Sequence, residues 1–404
     1  MAEQHGKTLV PQIRFAGFTD PWEQRKLSST CEQLSRTINP LETPNEEFTE
    51  YSMPAFDNNE TAETVIGNSM NSLRKIVDRP CLLVNKLNVR KKRIWHVPRP
   101  EANAVCSSEF VPFSSHSSDL SFIKISLLSE RITAYLESCS SGSSNSQKRV
   151  TPEIIMSSEI IAPSLAEQRR IGAFFDRLDS LITLHQRKYD KLCVLKKSML
   201  DKMFPKGGSL YPEIRFAGFT DPWEQRKLGE LYQKNDERNT DGLGSERTLS
   251  VASMTFNSAG NGADDSSLPN YKRLRLGDIA FEGHTNKEFA YGRFVLNDAG
   301  NGIMSPRFTC LRPIVEQEYS FWKYFIHSEK VMRPILVNST KSGTMMNELV
   351  VEDFLKQEIL VPSLPEQRRI GAFFDRLDSL ITLHQRKLEL LRNIKKSMLD
   401  KMFV

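Results

Sequence analysis

The sequence predicts an α+β protein with two mixed α/β domains, separated by two long antiparallel helices that pack like a coiled coil, in a pseudo-twofold internal repeat. Three observations predict this fold. The chain of 404 residues contains two copies of the same sequence blocks, one in each half. Each half ends in a heptad pattern, and in the segments between the blocks apolar runs alternate with turn signals.

Two blocks of sequence each occur twice in the chain. The first block, PQIRFAGFTDPWEQRKL, recurs with a single change, from Gln12 to Glu213, and the second, EQRRIGAFFDRLDSLITLHQRK, recurs without any. The first lies at residues 11–27 and 212–228, and the second at residues 167–188 and 366–387. Each half of the chain is therefore one copy of the same unit.

Between these blocks, residues 28–160 and 229–360 diverge and can be matched only through short anchors, such as SFIK with SFWK and CLLVNKLN with IAFEGHTN. One fold that carries two different surfaces is the economical interpretation. A tandem duplication without functional asymmetry would explain the identical blocks, but not why the divergence is confined between them.

The second block opens a long heptad pattern, which is typical of a helix that packs lengthwise on another helix. PKGG at residues 205–208 ends the first helix, and we interpret Glu167–Arg170 as a solvated, capped helix start. His185 and His384 fit polar register positions better than ligand positions. The apolar positions, called the seam below, are Ile171, Phe175, Leu178, Ile182, Ile370, Phe374, Leu377, Ile381, Leu388 and Leu391.

These patterns divide the chain into four predicted parts. Two are mixed domains and two are long helices. The domains are residues 1–162 and 209–361, and the helices, the first with its linker, are residues 163–208 and 362–404. In the second domain the sequence predicts hairpin strands between Asn270 and Arg312, followed by a helix over Phe321–Leu336.

Composition narrows the function without deciding it. A net charge of +5 and a pI of about 8.7 fit an anionic partner. The lack of a long apolar run or a signal segment predicts a cytoplasmic protein. Six scattered cysteines without metal-ligand spacing predict neither a metal site nor disulfides. Because phosphate-loop, methyltransferase and nuclease motifs are missing, we expect no catalytic residues in this chain.

Cationic and amide side chains cluster in loops of both divergent segments. Arg, Lys and Asn can make bidentate contacts to DNA base edges, while Ser, Thr and further cations can hold phosphates. The sequence predicts DNA contacts there, although any single one could be an ordinary solvated side chain. The candidates in the first segment are Asn85, Lys86, Asn88, Arg90, Lys91, Lys92 and Arg93. Those in the second are Lys272, Arg273, Arg275, His284, Thr285, Asn286, Lys287, Arg293, Arg307, Lys341, Ser342 and Thr344.

Two motif pairs carry a family resemblance over nearly the whole chain. PSLAEQRRIGAFFDRLD and PSLPEQRRIGAFFDRLD, each following a copy of IRFAGFTDPWEQRKL, resemble the specificity subunits of type I restriction–modification systems. The resemblance implies two target-recognition domains, each reading one half of a bipartite, asymmetric double-stranded DNA target, and a helix pair that sets the spacer. One departure is that the first domain has DRPCLLV where the second has the strand signal Gly277–Ile279.

The resemblance also implies partners. These are two modification subunits, which bind S-adenosylmethionine, and restriction subunits, which use ATP and Mg; this chain itself would bind no cofactor. It implies that the modification subunits dock on the helices, at Phe175, Leu178, Phe374, Leu377 and their neighbours. Two alternatives are a free-standing DNA-binding regulator and a coiled-coil scaffold without DNA contact. The near-verbatim repeats further suggest a gene that exchanges recognition segments by recombination.

Overall fold

The computed structural model describes residues 10–142, 147–257, 264–343 and 346–403. The chain forms two compact units, Met1–Gln186 with Arg386–Val404, and Arg187–Gln385. Each unit therefore combines one divergent segment with the first half of its own long helix and the last half of the other. The predicted four-part division, in contrast, keeps each helix whole.

The first unit contains the elements up to the first long helix. Its strands are β1 (Glu23–Lys26), β2 (Cys31–Gln33), β3 (Thr37–Ile38), β4 (Glu47–Tyr51), β5 (Glu63–Ile66), β6 (Arg74–Ile76), β7 (Cys81–Asn85), β8 (Ile94–Val97), β9 (Ala104–Cys106), β10 (Phe110–Ser115) and β11 (Glu159–Ala162). Its helices are α1 (Met53–Asp57), α2 (Leu120–Leu127), α3 (Glu130–Ser138), α4 (Pro152–Ser157) and the start of α5 (Leu165–Lys202). Short 3-10 helices lie at Leu27–Ser29, Pro40–Glu42, Gly67–Ser69 and Val89–Lys91.

The second unit follows a similar order. Its strands are β12 (Glu224–Lys227), β13 (Tyr232–Lys234), β14 (Leu249–Ser250), β15 (Thr255–Phe256), β16 (Lys272–Leu274), β17 (Ile279–Glu282), β18 (Arg293–Leu296), β19 (Gly302–Met304), β20 (Thr309–Pro313), β21 (Thr340–Lys341), β22 (Glu348–Leu349) and β23 (Glu358–Val361). Its helices are α6 (Tyr319–Phe325), α7 (Glu329–Val337), α8 (Val351–Lys356) and the start of α9 (Leu364–Met402). Its 3-10 helices are Leu228–Glu230, Ser245–Arg247 and Asp265–Asn270.

Each unit has its own central four-stranded antiparallel sheet, and the two sheets have the same strand order. That order is β2-β10-β7-β8 in the first unit and β13-β20-β17-β18 in the second. Strands β7 and β17, which come from the weakly matched anchors CLLVNKLN and IAFEGHTN, hold the same place in this order. The units differ beside it, where the first has a five-stranded sheet, β3-β6-β9-β4-β5, and the second has two-stranded pairs.

Each unit packs the start of one long helix against the end of the other, in antiparallel fashion. In the first unit, Lys395 Nζ lies 2.5 Å from Asp179 Oδ1, and Arg392 donates to Gln186 at 3.0 Å. In the second, Lys196 Nζ lies 2.6 Å from Asp378 Oδ1. The predicted antiparallel helices are thus confirmed. Among the described residues, no helix is long and apolar enough to cross a membrane.

The seam residues nearest each helix start lie in the core of their own unit. Phe374 is 0% exposed, and its ring centroid lies 6.2 Å from that of Phe204 and 5.1 Å from that of Tyr324. Phe175 is equally buried and lies 6.4 Å from Phe403. The expectation of a seam between helices alone is wrong, because this half of the seam also packs on the divergent segment of its own unit.

The polar start of each long helix is not solvated, which corrects the interpretation of Glu167–Arg170. Glu167 and Gln168 are buried, and only Arg169 and Arg170 are exposed. Burial is possible because Arg14, from the first repeated block, donates two hydrogen bonds of 2.7 Å to the Glu167 carboxylate. The two repeated blocks are therefore joined inside each unit.

Candidate nucleic-acid interface

Equivalent hairpin loops carry most of the predicted contact residues. In the first unit the loop between β7 and β8 spans residues 86–93, and in the second the loop between β17 and β18 spans residues 283–292. Since these strands hold the same place in the two central sheets, the loops emerge at corresponding ends of the two units. Their sequences differ almost completely.

In the second unit, the loop after β17 meets the segment around β21 and β22. The amide of Asn347 donates to Gly283 O at 2.9 Å, and a Cβ on Gly283 would overlap the Asn347 carbonyl oxygen, so only glycine allows this approach. Asn286 shapes the loop by accepting from the amides of Glu288 and Phe289 at 2.8 and 2.9 Å. This brings together an exposed set of predicted residues, called the loop face below: His284, Thr285, Asn286, Lys287, Lys341 and Ser342.

Glu282 holds two predicted contact residues at the base of this loop. Its carboxylate accepts from Arg293 Nε at 2.8 Å and lies 3.2 Å from His284 Nδ1. Arg293 also donates to Ala252 O at 3.2 Å and packs over the Phe289 ring. Arg293 is therefore a structural support of the loop as well as a candidate for DNA.

Lys272 and Arg273 are buried. The sequence predicted that each would either contact DNA or be an ordinary solvated side chain, and neither expectation anticipated their burial. Lys272 Nζ donates to Phe308 O at 3.1 Å and pairs with Asp236 at the same distance. Arg273, 6% exposed, pairs with Asp241 at 3.1 Å. Both cations pair with acids inside the unit, because strand β16 runs beside an acidic segment, but Arg273 Nε and Nη1 are buried without a hydrogen-bond partner among the described residues.

Arg275 belongs to a charged network with the same acidic segment. Glu237 accepts from Arg275 at 3.1 and 2.5 Å and from Arg312 at 2.8 Å, and the two guanidiniums, Arg275 foremost, lower the pKa of Glu237 to about 2. Arg312 is also bound in bidentate fashion by the buried Asp278. The sequence argument missed Arg312 and these acids, although the alternating charges of KNDERNTD were a usable signal.

In the first unit, acidic residues from distant segments hold three of the loop cations. Arg90 pairs with Glu137, Lys92 donates to Glu130 at 2.6 Å, and Arg93 donates twice to Asp57, at 2.8 and 2.6 Å. These pairs fix the loop on the body of the unit. At the start of the loop, the buried Asn85 Oδ1 accepts from Leu87 N at 2.9 Å. Asn88 and Lys92 adopt left-handed conformations that let the loop turn.

A smaller set of cations has no ion pair within the described residues. Lys91, Lys287 and Lys341 are exposed, Lys86 is half-buried, and the exposed Arg307 lies 4.7 Å over the Phe308 ring. Thr344 lies outside the described residues. The DNA contact of every candidate remains a prediction, and these unpaired cations are the ones whose charge is free to meet a phosphate.

The match to a known protein family covers both halves of the chain. The family described as "Type I restriction modification DNA specificity domain" matches residues 20–193 and again residues 220–393, which together exceed half of the chain. The two matched stretches each contain one central sheet and one hairpin loop of the kind described above.

Solved structures of two proteins are similar to this chain at low sequence identity. The S subunit of a type I restriction–modification system from M. genitalium is 15% identical, with a TM-score of 0.50, covering 98% of this chain and 99% of that one. The HsdS subunit from Thermoanaerobacter tengcongensis is 20% identical, with a TM-score of 0.44 and coverages of 95% and 96%. The chain belongs to the type I restriction–modification DNA specificity family, and it is a DNA-recognition subunit of such a system.

Proposed function

We propose that each unit reads one half of a bipartite, asymmetric DNA target. The first unit would read through the loop between β7 and β8, and the second through the loop face. One observation carries this proposal: two loops at the same place in the same sheet differ in nearly every exposed side chain, while the flanking blocks are identical. Two loops with different side chains, held by equivalent sheets, are suited to reading two half-sites with different sequences.

The chemistry is assigned to partner subunits. Modification subunits would bind S-adenosylmethionine and methylate adenine, and restriction subunits would use ATP and Mg to move and cut DNA. This assignment rests on the family resemblance and on the missing catalytic motifs in the sequence. The chain itself would supply sequence recognition and a place for two modification subunits.

We infer that the modification subunits dock on the exposed face of each helix rather than on the buried seam. Phe175, Leu178, Phe374 and Leu377 have almost no surface left for a partner. A stripe with helical spacing is exposed in both copies: Ala173, Arg177, Ser180 and Leu184 in α5, and Ala372, Arg376, Ser379 and Leu383 in α9. These exposed residues are identical in α5 and α9, although exposed side chains contribute little to folding. Two identical surfaces suit two copies of one partner.

The helix pair would act as a ruler that sets the spacer between the half-sites. To test this, one heptad is duplicated in each helix, Ile182–Lys188 and Ile381–Lys387, which keeps the register of the helix pair. Seven residues add about 10 Å of helix, or about three base pairs of DNA. We expect the methylated target to keep both half-sites and gain a spacer about three base pairs longer.

The duplication experiment also separates the alternatives. A chain carrying the duplication in α5 alone is the matched control, and it should lose target modification because the two helices no longer match in length. An unchanged spacer in the double duplication would contradict the ruler. Tight, specific DNA binding by the isolated chain would favour a free-standing regulator, and DNA affinity without a steep loss on adding salt would contradict phosphate-based recognition.

A further inference from the structure

The start of each long helix is fixed to its own recognition domain by a buried, bidentate ion pair. Arg14 Nε and Nη2 donate to the two oxygens of Glu167, both at 2.7 Å, and Arg215 makes the same two contacts with Glu366, again at 2.7 Å. Glu167 is 0% exposed. A bidentate pair fixes the planes of both groups as well as their distance.

The neighbouring glutamine ties the same helix turn to backbone atoms on two sides. Gln168 Nε2 donates to Pro163 O at 2.9 Å, and its Oε1 accepts from the amide of Asp119, which caps α2, at 3.1 Å. In the second unit, Gln367 repeats both contacts, and its Oε1 also accepts from Trp322 Nε1 at 3.1 Å. The amide group thus links a residue before the helix to the recognition domain.

A glycine one turn later brings the recognition domain against the helix backbone. A Cβ on Gly172 would lie 2.5 Å from Asp119 Oδ1 and 2.8 Å from Ser121 Cβ. A Cβ on Gly371 would overlap Ser320 Oγ and lie 2.7 Å from the amide nitrogen of Phe321. Neither site has room for a side chain, so α2 and α6 touch their helices directly.

These contacts define an angle more than they contribute stability. A buried ion pair can often be replaced by apolar residues of similar volume without loss of stability, because desolvation offsets the attraction. The angle at which the ion pair holds the helix against the recognition domain has the larger consequence. Over about 30 Å of helix, a tilt of about 10° moves the far end by about 5 Å, which exceeds the rise of about 3.4 Å per base pair.

We propose that the contacts of Glu167, Gln168 and Gly172, and of their counterparts Glu366, Gln367 and Gly371, form a joint that positions each recognition domain for one spacer length. These are positioning residues: they act through the angle between helix and domain and touch no DNA. The proposal rests on the ruler function proposed above. It assigns to the E-Q-R-R-I-G motif a role in target selection.

The test removes the ion pair without leaving a buried charge. The double variant Arg215→Met with Glu366→Leu is assembled with the modification subunits, and methylation is measured on targets whose spacer is one base pair shorter, correct or one longer. The wild type should discriminate by on the order of tenfold or more, as for one wrong base pair. In the double variant we expect discrimination below about threefold, with both half-sites still required.

A matched control removes an ion pair from the surface of the same unit. Arg226→Met with Glu230→Leu eliminates an exposed pair of 2.7 Å and should leave spacer discrimination unchanged. Should the buried double variant fail to fold, Gly371→Ala decides, since it keeps every charge and pushes α6 from the helix; we expect it to weaken or shift the spacer preference as well.

The outcomes separate the joint from the ruler. A folded joint variant that discriminates spacers as sharply as the wild type overturns the joint. If the heptad duplication nevertheless lengthens the spacer, the ruler stands. If neither the joint variants nor the duplication alters spacer choice, the ruler itself is wrong. Equal broadening in the surface control would show that the effect is not specific to the joint and would also overturn it.

Discussion

Phe374→Asp is expected to unfold the second unit. Phe374 is 0% exposed and lies among Phe204, Tyr324 and Phe373, so the substitution removes a large apolar side chain and buries a carboxylate without a partner. The loss of packing and the buried charge together cost more than about 5 kcal/mol. That is comparable to the whole stability of a domain.

The matched control is Leu383→Asp, which changes an exposed position of the same helix. Leu383 is 44% exposed, so its substitution should leave the unit folded while weakening docking of the modification subunit. Hydrogen exchange followed by mass spectrometry resolves the two effects by segment. Loss of protection across residues 209–385 is expected for Phe374→Asp alone, and wild-type protection in that variant would contradict the core position of the seam.

Asp278→Ala is expected to have the second-largest effect on stability. Asp278 is 1% exposed, and its oxygens accept from Arg312 at 3.0 Å twice and from the amide of Arg275 at 2.9 Å. Removing the carboxylate leaves the partly buried Arg312 guanidinium paired only with Glu237, and the partly buried Arg275 amide loses its acceptor. The expected loss is about 3 kcal/mol in the free energy of unfolding.

Asp298→Ala is the control that tests whether the stability lost in Asp278→Ala arises because the Asp278 ion pair is buried. Asp298 pairs with Lys323 at 2.6 Å, but both side chains are exposed, so removing the pair should cost less than about 1 kcal/mol. Urea denaturation followed by tryptophan fluorescence, to which Trp223 and Trp322 of the second unit contribute, measures both variants. Equal losses in the two would show that the Asp278 network is not a structural centre of the unit.

The sequence predicted the parts of the fold that have strong local signals. The heptad pattern and the prolines before it predicted α5 and α9, and the repeat predicted two like units. The five-stranded sheet of the first unit was not predictable, because strands such as Thr37–Ile38 are too short to show a pattern and β4 pairs in parallel with the distant β9. Similarly, a stripe of apolar residues cannot reveal whether it meets a helix or a domain.

The sequence predicted which segments carry cations, but not which of these cations are paired. Asn88 and Lys287 lie in hairpin loops, whereas Lys272 and Arg273 lie in a strand, and the ion pairs depend on acids far along the chain. Glu237 lies 75 residues from Arg312, and Asp57 lies 36 from Arg93. Because such pairs form only when the fold brings the segments together, composition could not separate Arg273, which is buried, from Lys287, which is exposed.

The repeated blocks have a physical reason beyond common ancestry. Arg14 and Arg215 lie in the first block, and their partners Glu167 and Glu366 lie in the second, so the two blocks form one structural joint around each divergent segment. Divergence between the blocks can then alter the loops without altering how the domain is held on its helix. Such an arrangement allows recognition segments to be exchanged as cassettes.

One measurement tests the central claim, that the choice of the two half-sites lies in the divergent segments alone. Residues 229–360 are replaced by residues 28–160, and methylated adenines are mapped in a host that carries this chain with its modification subunits. Since both units then hold the same loops, we predict a target of two copies of one half-site with the original spacer. A target that still contains two unlike half-sites would contradict the account.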